Sequence, residues 1–196
     1  MLRAVEGVVL LAALLAALPA PALDIGHTRL PERLRLAAEG AELALNGAGL
    51  RSRFRFEIYV IGLYLAERQR SDQAVLAHPG AKRVRIVMLR DVAAKQMTEG
   101  LIGVMQKNNP PAELAAAREG IEAFRAMLLA LERVPTGTVF DIDYSPRNGT
   151  RLSVDGIPKG GLIAGEAFYR AVLRIWIGDK PEQPSLKDAL LGGGST

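Results

Sequence analysis

The stretch from Phe54 to Leu65, FRFEIYVIGLYL, constrains the fold more than any other part of this chain. Aromatic and β-branched side chains crowd it, which suits a pleated, well-buried strand and costs a helix side-chain freedom. Gly62 within it marks a bend or a close approach of another backbone. A second strand is predicted over Lys82 to Leu89, where Val84, Ile86 and Met88 alternate with Arg83, Arg85 and Val87, so that one face can be buried. Leu34 to Leu45 alternates more loosely, and a tight turn is expected to end it at Asn46-Gly47, because both residues tolerate positive φ.

From Ala93 the apolar period changes. Met97, Leu101, Ile102, Val104 and Met105 recur at helical spacing, and Asn108-Asn109-Pro110-Pro111 closes this helix and opens another, predicted from Pro111 to Glu132. Ser71 to Ala77 reads as a short capped helix ended by Pro79-Gly80. Thr138 to Tyr144 and Thr150 to Val154 read as strands joined across Pro146-Arg147-Asn148-Gly149, followed by a strand near Gly161 to Ala164 and a helix from Glu166 to Trp176. The last helix is expected over Ser185 to Leu191, with Ser185 and Asp188 at capping-box spacing. Strands on both sides of a helical block predict an α+β fold, a large antiparallel sheet covered on one face by helices. No repeat or linker-like break divides the chain, so residues 23–191 are read as one domain and 192–196 as a flexible tail.

Ahead of this domain, the apolar run Val8 to Leu18 follows Arg3 and precedes Pro19-Ala20-Pro21-Ala22. That arrangement is the pattern of a secretory signal peptide, too short to span a bilayer, and predicts cleavage after Ala22 and a periplasmic or secreted protein. An uncleaved membrane anchor is the alternative. The chain has no cysteine, which excludes disulfides, a thiolate nucleophile and Cys-containing zinc sites. His27 and His78 lack ligand spacing and are read as surface residues. The net charge of +4 is spread along the chain, with its densest patch at Arg51, Arg53 and Arg55, so no nucleic-acid partner is expected.

Asp141 and Asp143 fall on one face of their strand, and with Phe140, Ile142 and Tyr144 opposite they are read as a solvated outer face rather than an acid–base pair. No lysine is marked as a Schiff-base former, and no cofactor or metal is expected. The element Asn46-Gly47-Ala48-Gly49-Leu50-Arg51 lacks both the spacing and the following helix of a phosphate-binding loop.

This same element carries a resemblance. Gly47-Ala48-Gly49-x-Arg51, followed by Tyr59-Val60-Ile61-Gly62-Leu63-Tyr64-Leu65, resembles the signature of the chalcone isomerase family, a Gly-Ala-Gly-x-Arg turn before a strand ending in Ile-Gly-x-Tyr-Leu. Ile175-Trp176-Ile177-Gly178-Asp179 and Pro184-Ser185-Leu186-Lys187 are similar to that family's Ile-Gly-acidic segment and Ser-x-x-Leu-Lys ending. The resemblance runs roughly from Leu45 to Leu190 and implies an open-faced β-sandwich with a ligand cleft between sheet and helices. The family includes plant flavonoid isomerases, non-catalytic fatty-acid-binding relatives and bacterial proteins of the present type.

By that resemblance, Arg51 matches the arginine that holds an anionic ligand group. Tyr59 matches a tyrosine of the fatty-acid-binding branch that helps hold the carboxylate, where the isomerases carry threonine. The isomerase tyrosine and asparagine would fall near Gln96 or Met97 and near Gly103 or Val104, and a late hydroxyl falls on Ile175; none is retained. Isomerisation needs donors that stabilise developing charge, whereas an arginine alone only binds. The expected function is therefore exported, non-catalytic binding of a fatty acid or similar anionic amphiphile, with Arg51 and Tyr59 as ligand-binding residues. An isomerase of a chalcone-like or other substrate and an envelope protein-interaction module are the alternatives. One geometric obstacle stands: on a straight strand Arg51 and Tyr59 would lie about 26 Å apart, at about 3.3 Å per residue. They can share a head group only if the chain turns near Ser52 to Phe54, where it has no Gly, Pro or Asn.

Overall fold

The structure, a computed structural model, describes residues 21–36 and 40–193; the expected signal run Val8 to Leu18 lies outside them. Its centre is an antiparallel sheet of seven strands: β3 (Arg33–Leu36), β4 (Ala41–Arg53), β5 (Phe56–Leu65), β6 (Lys82–Met88), β9 (Val139–Ser145), β10 (Gly149–Val154) and β11 (Ile157–Ile163). They stand in the order β11-β10-β9-β6-β5-β4-β3, and the longest connection between neighbours joins β6 to β9. That connection holds the helical block, α2 (Ala94–Asn108), α3 (Pro111–Ala116) and α4 (Arg118–Leu129). After the last strand comes α5 (Glu166–Ile177), whose Phe168, Tyr169, Val172, Leu173 and Trp176 are buried; it is apolar nearly all round because it lies between the sheet and the other helices. Phe168 meets the Phe124 ring at 5.5 Å, tying α5 to α4. The main core joins these helices to Ile61, Leu63, Val84, Ile86, Phe140 and Ile142 on one face of the sheet.

The other face is less covered. A hairpin of β1 (Ala22–Ile25) and β2 (Thr28–Pro31) folds over β4 and β5, and its Leu30 caps a smaller cluster with Leu43, Leu45, Val60 and Tyr64. Gly62 lies beneath Leu30: a Cβ there would stand 3.1 Å from Leu30 Cδ1. Beyond the hairpin the face carries an ion-pair ladder. Arg83 sits directly opposite Asp143 and Arg85 opposite Asp141, and both pairs are bidentate, with Arg85 reaching Asp141 at 2.7 Å through each oxygen. The reading of Asp141 and Asp143 as solvated is thereby corrected: Asp141 is 6% exposed, because the neighbouring strand supplies a guanidinium for each carboxylate.

Other local expectations also change. Asn46-Gly47 does not turn; it is a bulge inside β4, where the pairing with β5 shifts register between Leu45 and Gly47. The predicted Pro111–Glu132 helix is broken at Ala117, whose φ of −97° and ψ of 0° separate α3 from α4. The break lets Gly120 pack within a methyl's breadth of Ile163 and Phe168. The last helix, α6, runs over Pro184–Leu190 with Gln183 at its N-cap, and the Ser185–Asp188 capping box does not form. Gly192 and Gly193, read as tail, close this helix by bonding the Ala189 and Asp188 carbonyls. The short helix after Ser71 forms as expected: α1 (Asp72–Ala77) is capped by the Ser71 hydroxyl. A small pair, β7 (Val92–Ala93) with β8 (Arg133–Val134), closes the helical block and has no counterpart in the sequence reading. Among the described residues, no helix is long and apolar enough to cross a membrane, and no group of His, Asp or Glu is placed to hold a metal.

Candidate functional site

The obstacle between Arg51 and Tyr59 is removed by a hairpin. β4 and β5 are joined through Phe54 and Arg55, and Arg51 stands directly opposite Tyr59 on the two strands. The turn needs a residue of positive φ, and Phe54 takes it at +54° without being glycine or asparagine. A bulky aromatic in place of a turn former is why no turn could be read there from residue types. Arg51 and Tyr59 consequently share one rung, on the sheet face that the helices cover.

Beside that rung lies a cavity of about 490 Å³ between the end of the sheet, the first turns of α2, the last turn of α5 and the segment leading into α6. Arg51 and Tyr59 both line it, with Ile58, Met88, Met97, Leu101, Val104, Ile175 and Trp176 forming its apolar wall. Arg53, Phe54, Phe56 and Arg90 form its rim. A second hollow of about 20 Å³ lies against Tyr59, Met88, Met97 and Leu101 and is otherwise bounded by apolar core side chains such as Phe124 and Phe140. The positions matching the isomerase polar residues face this cavity as Gln96, Met97, Val104 and Ile175, and among the described residues Tyr59 carries the only hydroxyl on its lining.

Arg51 is held rather than loose. Its side chain is only 16% exposed and pairs with the Glu182 carboxylate, while Nη1 donates to the Ser52 carbonyl at 2.9 Å and to Gln183 Oε1 at 3.3 Å. Gln183 is itself clamped to β4: it accepts from the Ser52 amide at 3.0 Å and donates to the Leu50 carbonyl at 2.9 Å. This docking depends on the Gly-Ala-Gly element. A Cβ on Gly47 would stand 2.1 Å from the Ala189 carbonyl oxygen, and one on Gly49 would stand 2.7 Å from Leu186 Cδ1. The glycines therefore form a seat for α6 inside a strand, not the turn that the resemblance implied. Asn46 fastens the seat by donating to the Leu190 carbonyl at 2.7 Å.

Tyr59 receives a hydrogen bond from the Trp176 indole at 2.8 Å. Its oxygen thus acts as acceptor toward the helix, and its own proton is left to donate toward the cavity. Burial pushes the phenol above its ordinary value, partly offset by the indole and by the nearby Arg51 charge, so it stays protonated through neutral pH.

The remaining basic and histidine residues divide. Arg53 ends β4 and lines the same cavity as Arg51, whereas Arg55 lies in the turn and not on the lining; their guanidiniums stand 5.8 and 5.6 Å from the centres of the Phe54 and Phe56 rings. His27 is exposed, but His78 is nearly buried and accepts from the Gly80 amide at 3.0 Å, and burial lowers its pKa. The surface reading of His78 is therefore corrected. Sequence reasoning missed Trp176, Glu182 and Gln183, which reach the site through the α5–α6 link; the Pro-flanked PEQP segment was the available signal.

A family model described as chalcone isomerase-like matches residues 22–192. Among solved structures, a fatty-acid binding protein of Arabidopsis thaliana shares the fold with a TM-score of 0.58 at 14% identity, covering 82% of this chain and 96% of that one. A search of curated protein sequences found no match.

Proposed function

The chain belongs to the chalcone isomerase-like family, and we propose that its cleft binds a fatty acid or similar anionic amphiphile without transforming it. One observation carries this reading: the Arg51 guanidinium and the Tyr59 hydroxyl stand on a single rung at the wall of an otherwise largely apolar cavity. A carboxylate on that rung accepts charge-assisted bonds from Arg51 and a hydrogen bond from the Tyr59 hydroxyl, and its tail lies along Met88, Met97 and Leu101. The volume falls within the usual range for small-ligand cavities. The structurally similar Arabidopsis protein, a fatty-acid binder by name, is consistent with this choice of guest.

Glu182 pairs with Arg51, and an incoming acid takes its place while Glu182, half exposed, turns to water. Catalysis of an isomerisation is disfavoured because it requires preorganised donors at the reacting carbonyl. Among the described residues the lining offers a single hydroxyl, that of Tyr59, toward such a set of donors.

Mass spectrometry of organic extracts from natively purified protein should yield a carboxylate-bearing lipid. Titration with a fluorescent fatty acid should then show Arg51→Gln weakened roughly 10- to 100-fold, the worth of hydrogen bonds to a charged group. Glu182→Gln should bind more tightly, since a tethered competitor is removed. Wild-type affinity in Arg51→Gln, with no lipid in the extract, would sink the proposal.

Export is part of the same proposal, supported by the Val8 to Leu18 run and the Pro-Ala-Pro-Ala segment. N-terminal sequencing of protein recovered from outside the cytoplasm should begin at Leu23; an intact Met1 there would favour an anchor.

A further inference from the structure

The turn between β4 and β5 projects from the rim of the cavity with an unusual surface. Phe54 is 91% exposed and Phe56 47% exposed. Arg53 lies 5.8 Å from the Phe54 ring centre, and Arg55 and Arg90 lie 5.6 and 4.6 Å from that of Phe56. None of these arginines takes part in an ion pair among the described residues; two acids on the cleft lining are engaged, Glu182 with Arg51 and Asp91 with Arg133 and Thr136, and Glu57 of the same hairpin is exposed. Phe54 carries a second cost besides its exposure. Its φ of +54° is one that glycine or asparagine would take with less strain. A position that sets both solubility and turn stability aside is explained by something the aromatic ring touches.

We propose that this turn is a membrane-docking element, in which Phe54 and Phe56 enter the interface of a bilayer and Arg53, Arg55 and Arg90 meet anionic lipid head groups. The chemistry favours a lipid surface over a protein groove. Aromatic rings settle at the boundary between head groups and acyl chains, and each arginine near an anionic surface contributes about 1 kcal/mol, close to a fivefold gain in partitioning. The patch is also continuous with the rim of the cavity, so docking seats the opening on the bilayer. Its purpose rests on the lipid reading of the cleft; its geometry does not.

The absence of cysteine allows a site-specific test in the full chain. Phe54→Cys carries an environment-sensitive fluorophore. Asn148→Cys, on the β9–β10 turn at the opposite end of the strands, carries the same label as a control. Mixed with vesicles of phosphatidylglycerol and phosphatidylcholine, the label at 54 should shift to the blue, less so as salt rises, and should not respond to pure phosphatidylcholine; the label at 148 should stay unchanged. Arg55→Gln should weaken vesicle partitioning about fivefold and leave uptake of a soluble fluorescent fatty acid intact, since Arg55 does not line the cavity. Phe54→Asn, which suits the turn, should fold at least as stably yet lose about tenfold in partitioning. A silent label at 54, equal responses at both labels, or wild-type partitioning in Phe54→Asn would each overturn docking through this turn. Vesicle binding that persists when the cleft takes up no fatty acid would uphold docking and remove the lipid reading instead.

Discussion

Lys82 is fully buried, with its ammonium 3.1 Å from Glu166 Oε1 and over the faces of Tyr144 and Tyr169 at 4.7 and 5.9 Å. Burial, the dominant influence, lowers its pKa, and the Glu166 partner only partly restores it. In the window between that lowered value and the ordinary lysine value the unfolded chain binds more protons than the folded one, so stability climbs as pH rises there and is lost as pH falls through the folded value. Lys82→Met keeps the volume and removes the charge. Because Glu166 is part exposed and keeps Arg170 at 3.3 Å, it is not left as an unpaired buried charge, so the variant should be close to neutral at neutral pH and should abolish that alkaline climb, measured by denaturant unfolding at stepped pH. A sharp loss of stability in Lys82→Met would show that the ammonium is needed. Little of this was visible in the amino-acid order: the alternation of β6 placed Lys82 with Val84 on the inner face, but its partner lies in a helix 84 residues away. Arg51 could be named from its motif, while Glu182, 131 residues distant, could not.

At the level of elements, β4 decides the site because it accommodates α6 and then delivers Arg51. Gly47→Ala forces a methyl into the Ala189 and Leu190 carbonyls, so α6 must lift. A cost of about 1–3 kcal/mol is expected, as for other overpacked positions. Since Gln183 and Leu186 move with α6, fatty-acid affinity should fall with it. A paired thermal melt and ligand titration checks both, and unchanged affinity at reduced stability would uncouple the seat from the cleft. The strands and helices themselves were largely legible, because burial on one face writes a period into the sequence, as in Lys82 to Leu89. What misled was turn chemistry. Asn46-Gly47 carries a turn signature but is used as a bulge, and the actual turn falls on Phe54, where no local preference announces it.

The molecule as a whole keeps its apolar mass on the helix side of the sheet and leaves a hollow at one end of that core. Filling a hollow with a guest that binds only the folded state raises stability by mass action, about 2.7 kcal/mol at a hundredfold excess over the dissociation constant. Palmitate or a similar acid should accordingly raise the melting temperature by several degrees, and the rise should fall to about half or less in Arg51→Gln. A neutral alcohol of equal length that stabilised as well would show that the guanidinium has no part in recognition. The seven-stranded sheet and its helical cover were predictable from pattern, but the cavity was not, since a void is a property of how distant surfaces fail to meet.

The spacing along the β4–β5 hairpin sets a distance with its own meaning. Only a few residues separate the turn at Phe54 from the rung at Arg51, about 10 Å of strand at about 3.3 Å per residue. A long acyl chain outreaches that gap, so a molecule leaving a leaflet could have its acid clasped before its far end has come free. Water would never need to wet the tail.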